Sequence, residues 1–102
     1  MAQLIKVAAT EDILPGQAKM VEVEGNEIAI FNIDGEYYAV DNSCTHVGGP
    51  LCEGEINAFE VTCPWHGAVF DVTSGHALGP PAALPLTTYV VRVQDGNICI
   101  EI

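Results

Sequence analysis

The stretch that decides the fold is a pair of short motifs, Cys44-Thr45-His46 and Cys63-Pro64-Trp65-His66. The first reads C-x-H and the second reads C-x-x-H, with sixteen residues between them. Each motif offers one sulfur and one imidazole, and each is followed by glycine, at Gly48-Gly49 and at Gly67. Two similar segments of this kind are typical of two loops that hold one metal centre between them.

Two thiolates and two imidazoles are the ligands of a [2Fe–2S] cluster in which two histidines replace two cysteines on one iron. We therefore predict that Cys44, His46, Cys63 and His66 bind such a cluster, one per chain. A structural zinc site with two cysteines and two histidines is the alternative. Each motif here mixes cysteine with histidine, whereas zinc modules usually pair like with like, so the order favours iron. The chain is then an electron carrier with no catalytic residue and no substrate of its own.

The charge of the chain restricts its partners. The formal net charge is −11, and only Lys6, Lys19 and Arg92 are basic. Nucleic acid and anionic membranes are excluded as partners, because their phosphates require Lys and Arg. No basic residue lies between Asp41 and Pro81, and an acidic surface there suits steering towards a basic patch on a protein partner.

The length and the first residues predict one small cytoplasmic domain. A chain of 102 residues is expected to form a single domain and, in this case, a monomer. The start shows no signal peptide, and no stretch approaches the ~20 apolar residues of a membrane span. Without export, the four cysteines favour metal binding over disulfides. Cys52 and Cys99, outside the motifs, are interpreted as small apolar residues.

Alternating apolar and polar residues predict strands at both ends of the chain, and no helical period of ten residues or more appears. Turns are predicted at Gly25-Asn26, Asp34-Gly35 and Asp95-Gly96. The predicted strands are 4–7, 18–24, 27–33, 36–40, 59–62, 68–71, 87–93 and 97–102. The expected architecture is an all-β, antiparallel β-sandwich base, about 1–41 and 86–102, with a cluster-binding insert of two loops at about 42–85.

At these residues the chain resembles the Rieske ferredoxins over essentially its whole length. Cys44-Thr45-His46 with Gly48-Gly49-Pro50-Leu51 is similar to the first cluster loop of that family. Cys63-Pro64-Trp65-His66-Gly67 with Phe70-Asp71 is similar to the second loop, and Gly79-Pro80-Pro81 is similar to its proline loop. The resemblance implies the Rieske fold, with Cys44 and Cys63 on one iron and His46 and His66 on the other.

The sequence departs from the high-potential branch of that family. Where that branch has a cysteine in each loop, joined as a disulfide, this chain has Gly49 and Trp65. Where that branch has a serine and a tyrosine that donate hydrogen bonds to cluster sulfur, this chain has Ala68 and Phe70. Fewer donors stabilise the reduced cluster less, so a low potential is expected, towards about −150 mV.

The low-potential branch includes the ferredoxins of ring-hydroxylating dioxygenases. The resemblance implies a carrier that takes electrons from a flavin-dependent ferredoxin reductase and passes them to a terminal Rieske non-haem iron oxygenase in aromatic hydrocarbon catabolism. Two alternatives remain at this stage. One is a small Rieske subunit of a nitrite reductase or a multicomponent monooxygenase, and the other is a zinc-binding interaction module.

Overall fold

The structure, a computed structural model, describes residues 4–42, 51–64, 68–78 and 86–101. Within these residues the chain forms strands and two short 3₁₀-helices, Thr10–Asp12 and Leu51–Glu53. The strands are β1 (Leu4–Ala9), β2 (Ala18–Val23), β3 (Asn26–Ile33), β4 (Glu36–Asp41), β5 (Glu55–Asn57), β6 (Glu60–Thr62), β7 (Val69–Asp71), β8 (Thr88–Gln94) and β9 (Asn97–Glu101).

Two antiparallel sheets carry the fold. The larger sheet has six strands in the order β1-β9-β8-β4-β3-β2, and it joins both ends of the chain because β8 pairs with β4. The smaller sheet has three strands in the order β5-β6-β7 and comes from the segment between β4 and β8. The prediction of an all-β antiparallel fold is confirmed.

The hairpin turns need backbone conformations that glycine adopts easily. Asp34 and Gly35 have φ of 53° and 90°, and Asp95 and Gly96 have φ of 52° and 77°. Positive φ at both central residues gives the turn whose twist matches that of the flanking strands. The predicted positions of these two turns are confirmed. The predicted turn at Gly25-Asn26 was wrong by one residue, because the positive φ values fall at Glu24 and Gly25 and Asn26 already belongs to β3.

Strand β3 is buried on both faces and divides the interior into two cores. Its side chains alternate, so that Ile28 and Ile30 enter one core whereas Ala29, Phe31 and Ile33 enter the other. The first group packs with residues of β1, β2 and β9 inside the six-stranded sheet. The second group packs against the small sheet, and we call this the insert core. Its buried members are Ala29, Phe31, Ile33, Val40, Leu51, Val61, Cys63, Ala68, Phe70, Val72 and Leu86.

Candidate metal centre

One of the four predicted ligands lies in the part of the chain that the structure describes. Cys63 follows β6 directly, and only 2% of its surface is exposed. Its backbone N–H donates to the carbonyl oxygen of Ala68 at 2.7 Å, so the chain reverses between these two residues. Cys44, His46 and His66 fall outside the described residues.

The surroundings of Cys63 suit a sulfur ligand of iron. Cys63 belongs to the insert core together with Leu51, Val61, Ala68 and Phe70. A thiolate in apolar surroundings is stable only where a cation neutralises it, as an iron ion does. Soft thiolate in a dry environment is also the donor that iron–sulfur clusters use. The residues present at this position therefore fit the predicted [2Fe–2S] cluster.

Asn42 anchors both ends of the segment that carries Cys44 and His46. Its carbonyl oxygen accepts the N–H of Leu51 at 2.7 Å. Its side-chain Oδ1 accepts the N–H of Cys52 at 2.8 Å. Leu51 and Cys52 therefore lie against Asn42, on either side of residues 43–50 in the sequence. Sequence reasoning missed Asn42, because its importance depends on the return of the chain at Leu51.

The residues on either side of 79–85 are also held by backbone hydrogen bonds. The N–H of Leu78 donates to the carbonyl oxygen of Val69 at 2.8 Å, and the N–H of Leu86 donates to that of Gly75 at 2.7 Å. Gly75 has a φ of +80°, and a Cβ on it would overlap the carbonyl oxygen of Leu86. A glycine is therefore needed at this position for the chain to pass so closely.

Described residues that flank the three segments lie in the insert core. Leu51 ends the first segment, Cys63 and Ala68 flank the second, and Leu86 ends the third; all four are buried in that core. The structure thus brings together the residues next to the two predicted cluster loops and the predicted proline loop, and we call these four residues the loop roots. Gly79-Pro80-Pro81 itself lies outside the described residues.

Asp41, the last residue of β4, forms hydrogen bonds to Tyr89 of β8 and to Thr87 just before it. The hydroxyl of Tyr89 donates to Oδ1 of Asp41 at 2.7 Å, and the N–H of Asp41 donates to the carbonyl oxygen of Thr87 at 3.0 Å. Burial of the phenol, together with this bond to a carboxylate, raises the pKa of Tyr89 to about 12. Tyr89 therefore remains a neutral donor throughout the physiological range.

The described part of the insert is acidic. Glu53, Glu55 and Glu60 are exposed, and Glu60 lies directly opposite Asp71 across the β6–β7 pair. The hydroxyl of Thr73 donates to the Asp71 carboxylate at 2.6 Å and lowers the pKa of that group. These carboxylates therefore present negative charge beside the loop roots.

The remaining thiols have ordinary positions. Cys99 is buried in β9, where its backbone pairs with Lys6 and Arg92. Cys52 is half-buried in the second 3₁₀-helix, and burial raises the pKa of its thiol. Both thiols are free, and these positions match those of small apolar residues.

Comparison with known proteins identifies the family. The sequence profile of the Rieske [2Fe–2S] domain matches residues 3–90. The chain belongs to the Rieske [2Fe–2S] domain family. Its cofactor is therefore a [2Fe–2S] cluster, which confirms that prediction over the zinc alternative.

Two characterised relatives match nearly the whole of this Rieske chain. The 3-phenylpropionate/cinnamic acid dioxygenase ferredoxin subunit of Photorhabdus laumondii subsp. laumondii is 45% identical, over 100% of this chain and 96% of the relative. The ferredoxin component of the naphthalene 1,2-dioxygenase system of Pseudomonas putida is 38% identical, over 96% of this chain and 94% of the relative. Both are ferredoxins, which confirms the prediction of an electron carrier rather than an enzyme.

A solved structure shows the same fold. A chain in the complex of reduced oxygenase and oxidized ferredoxin of carbazole 1,9a-dioxygenase superposes with a TM-score of 0.90. It is 31% identical, and the match covers 95% of this Rieske chain and 91% of that chain. The predicted Rieske fold is confirmed. In the described ranges of this chain, none of the helices has the length and apolar character needed to cross a membrane.

Proposed function

We propose that this Rieske ferredoxin takes single electrons from a flavin-dependent reductase and passes them to the terminal oxygenase of an aromatic-ring dioxygenase system. The observation that carries the proposal is that whole-length relatives are ferredoxin components of such systems. A similar chain has also been solved in a complex with its oxygenase.

Cys44 and Cys63 are the proposed ligands of one iron, and His46 and His66 those of the other. The bound cluster supplies a one-electron redox centre with a potential raised by its two imidazole ligands. Support comes from the burial of Cys63 and from the insert core that it shares with Leu51 and Ala68, the described residues next to the two predicted cluster loops. The apolar side chains of that core exclude water from the sulfur side of the site.

The whole chain acts as one domain in this proposal. The base, about 1–41 and 86–102, supplies the six-stranded sheet, and the insert, about 42–85, supplies the small sheet and the ligands. The pairing of β4 with β8 supports this division, because the chain returns to the same sheet after the insert. We place the protein in the cytoplasm as a monomer.

Exposed carboxylates of the insert are proposed to guide docking. Opposite charges accelerate encounter and orient partners before close contact forms. All three Lys and Arg residues lie on strands of the base, so the four carboxylates of the insert have no Lys or Arg beside them in that part of the sequence. A basic patch around the redox centre of each partner would complement it.

The ligand assignment is tested by substitution with matched controls. We expect Cys63→Ser and His66→Ala to abolish the visible absorption and the electron paramagnetic resonance signal of the cluster. Cys52→Ser and His76→Ala change the same residue types outside the motifs and should retain both signals. Normal spectra in either ligand variant would refute the assignment.

The carrier role is tested by mixing. The reduced ferredoxin is combined with an oxidised terminal Rieske oxygenase of the aromatic-ring class, and its absorption is followed in a stopped-flow instrument. Stoichiometric one-electron oxidation within the turnover time of the oxygenase is expected. Transfer far slower than turnover for every such oxygenase, with rapid transfer to a nitrite reductase instead, would reject the proposed partner.

A further inference from the structure

We propose that Asn42 is a positioning residue for the cluster, because its side chain fixes the root of the segment that carries Cys44 and His46. The inference rests on the ligand assignment proposed above. Asn42 is one of two buried polar residues in the described ranges, with 5% of its surface exposed. It lies two residues before Cys44 and directly after the last residue of β4.

The backbone of Asn42 joins two parts of the base to the returning chain. Its N–H donates to the carbonyl oxygen of Glu27 at 3.0 Å, which extends the β3–β4 pairing by one residue. Its carbonyl oxygen accepts the N–H of Leu51 at 2.7 Å. These two bonds do not depend on the side chain, so they would survive substitution of Asn42.

The side chain makes the third bond, which requires an acceptor oxygen at this distance from the backbone. Oδ1 accepts the N–H of Cys52 at 2.8 Å. Cys52 lies in the first turn of the 3₁₀-helix Leu51–Glu53, where backbone N–H groups have no partner within the helix. Only asparagine and aspartate carry a carbonyl-type oxygen at this distance from the backbone. The side chain therefore caps the helix that ends the segment and secures it to β4.

Loss of this oxygen would leave the N–H of Cys52 partly buried without its acceptor. Such a loss lowers the equilibrium constant for forming the anchored arrangement roughly fivefold or more. Cys44 and His46 would then be held less firmly, since one of the two bonds that join the ends of residues 43–50 is gone. A metal site whose supporting hydrogen bonds are removed binds its metal less tightly.

The experiment compares three holoproteins with the wild type. Asn42→Ala removes the oxygen, Asn42→Asp keeps an oxygen at the same distance, and Asn32→Ala is the control. Asn32 is also buried, at 2% exposure, and its Oδ1 accepts the N–H of Gly35 at 2.8 Å in a hairpin of the base. The rate of cluster bleaching by an iron chelator, the reduction potential, the electron paramagnetic resonance spectrum and the thermal unfolding temperature are measured for each.

We expect the cluster of Asn42→Ala to be bleached by the chelator roughly fivefold faster or more. Its reduction potential or its electron paramagnetic resonance spectrum should also change. Asn42→Asp should restore most of the lifetime. Asn32→Ala should lower the unfolding temperature but leave the potential and spectrum unchanged. If Asn42→Ala yields no holoprotein, Asn42→Gln replaces it, because its amide lies one methylene further out.

Three results would overturn the inference. The first is an unchanged lifetime, potential and spectrum in Asn42→Ala. The second is faster bleaching that merely parallels the loss of thermal stability, as it would in Asn32→Ala. The third is a cluster that survives substitution of Cys44 and His46, which would refute the ligand assignment itself and remove the basis of this inference.

Discussion

Tyr89 shows how one partly buried hydrogen bond makes stability depend on pH. Its hydroxyl donates to Asp41, and its pKa is raised to about 12 from about 10 in an unfolded chain. A raised pKa stabilises the fold below about pH 10 and loses that contribution as the pH rises towards 12. Tyr89→Phe should lower the free energy of unfolding by about 1 kcal/mol at neutral pH, since the pair is partly exposed.

The measurement is urea unfolding of wild type and Tyr89→Phe at a series of alkaline pH values. The difference in unfolding free energy should shrink between about pH 10 and pH 12. Tyr38→Phe is the comparison variant. The hydrogen bond to Glu36 also raises the pKa of Tyr38, but this bond lies at the exposed surface, so the change with pH should be smaller. A phenol at position 89 that titrates near pH 10 would contradict the prediction.

Ala68 and Phe70 are expected to keep the potential low. Both are fully buried in the insert core beside Cys63. Ala68→Ser combined with Phe70→Tyr adds two hydroxyl donors, and donors to cluster sulfur raise the potential. Redox titration of the visible spectrum measures the change. Val72→Thr adds a hydroxyl to the same core after β7 and should leave the potential unchanged; an equal shift there, or none in the double variant, would contradict the prediction.

At the scale of elements, Gly75 controls how the turn after β7 meets the returning chain. Gly75→Ala should lower the free energy of unfolding by about 3 kcal/mol, because it combines an unfavourable φ with overlap on Leu86. Gly25→Ala is the matched control, since Gly25 has a similar φ of +84° and open space around it. Equal losses in the two variants, measured by chemical denaturation, would show that the close approach contributes nothing.

The long strands could be predicted from the sequence, whereas the short ones could not all be found. The alternation in β2 and the Asp-Gly pairs after β3 and β8 are local signals, so the strands beside them were predicted within one or two residues. Strand β5 was missed because three residues, Glu55–Asn57, give too short a pattern to recognise. It exists because Ile56 pairs with Val61 and packs on the insert core.

The same distinction applies to the site. The cluster could be predicted because its ligand types and spacing are local in the sequence. The role of Asn42 could not, because it depends on Cys52 returning to within 2.8 Å after ten residues. Local patterns therefore identify what is bound, while packing decides which residues hold the binding segments in place.

For the whole molecule, the distribution of charge should control the rate of electron transfer. Removing carboxylates from the insert should slow association with a basic partner at low salt by roughly tenfold, and added salt should abolish the difference. A variant with the same number of substitutions on the base is the control. The insert set is Glu53→Gln, Glu55→Gln and Glu60→Gln; the base set is Glu11→Gln, Glu22→Gln and Glu24→Gln.

Stopped-flow rates with the reductase and with the oxygenase, measured across ionic strength, provide the comparison. Equal slowing by both sets would mean that total charge matters and its position does not. Because all six side chains are exposed, neither set should alter the cluster spectrum.

The two lysines lie on β1 and β2, the outermost strands of the six-stranded sheet. An electrode coated with groups that couple to side-chain amines would therefore attach the protein only through the edges of its base. The insert has no lysine to react and would remain chemically unmodified. Voltammetry of such a film could then report the redox behaviour of the centre with its docking surface intact.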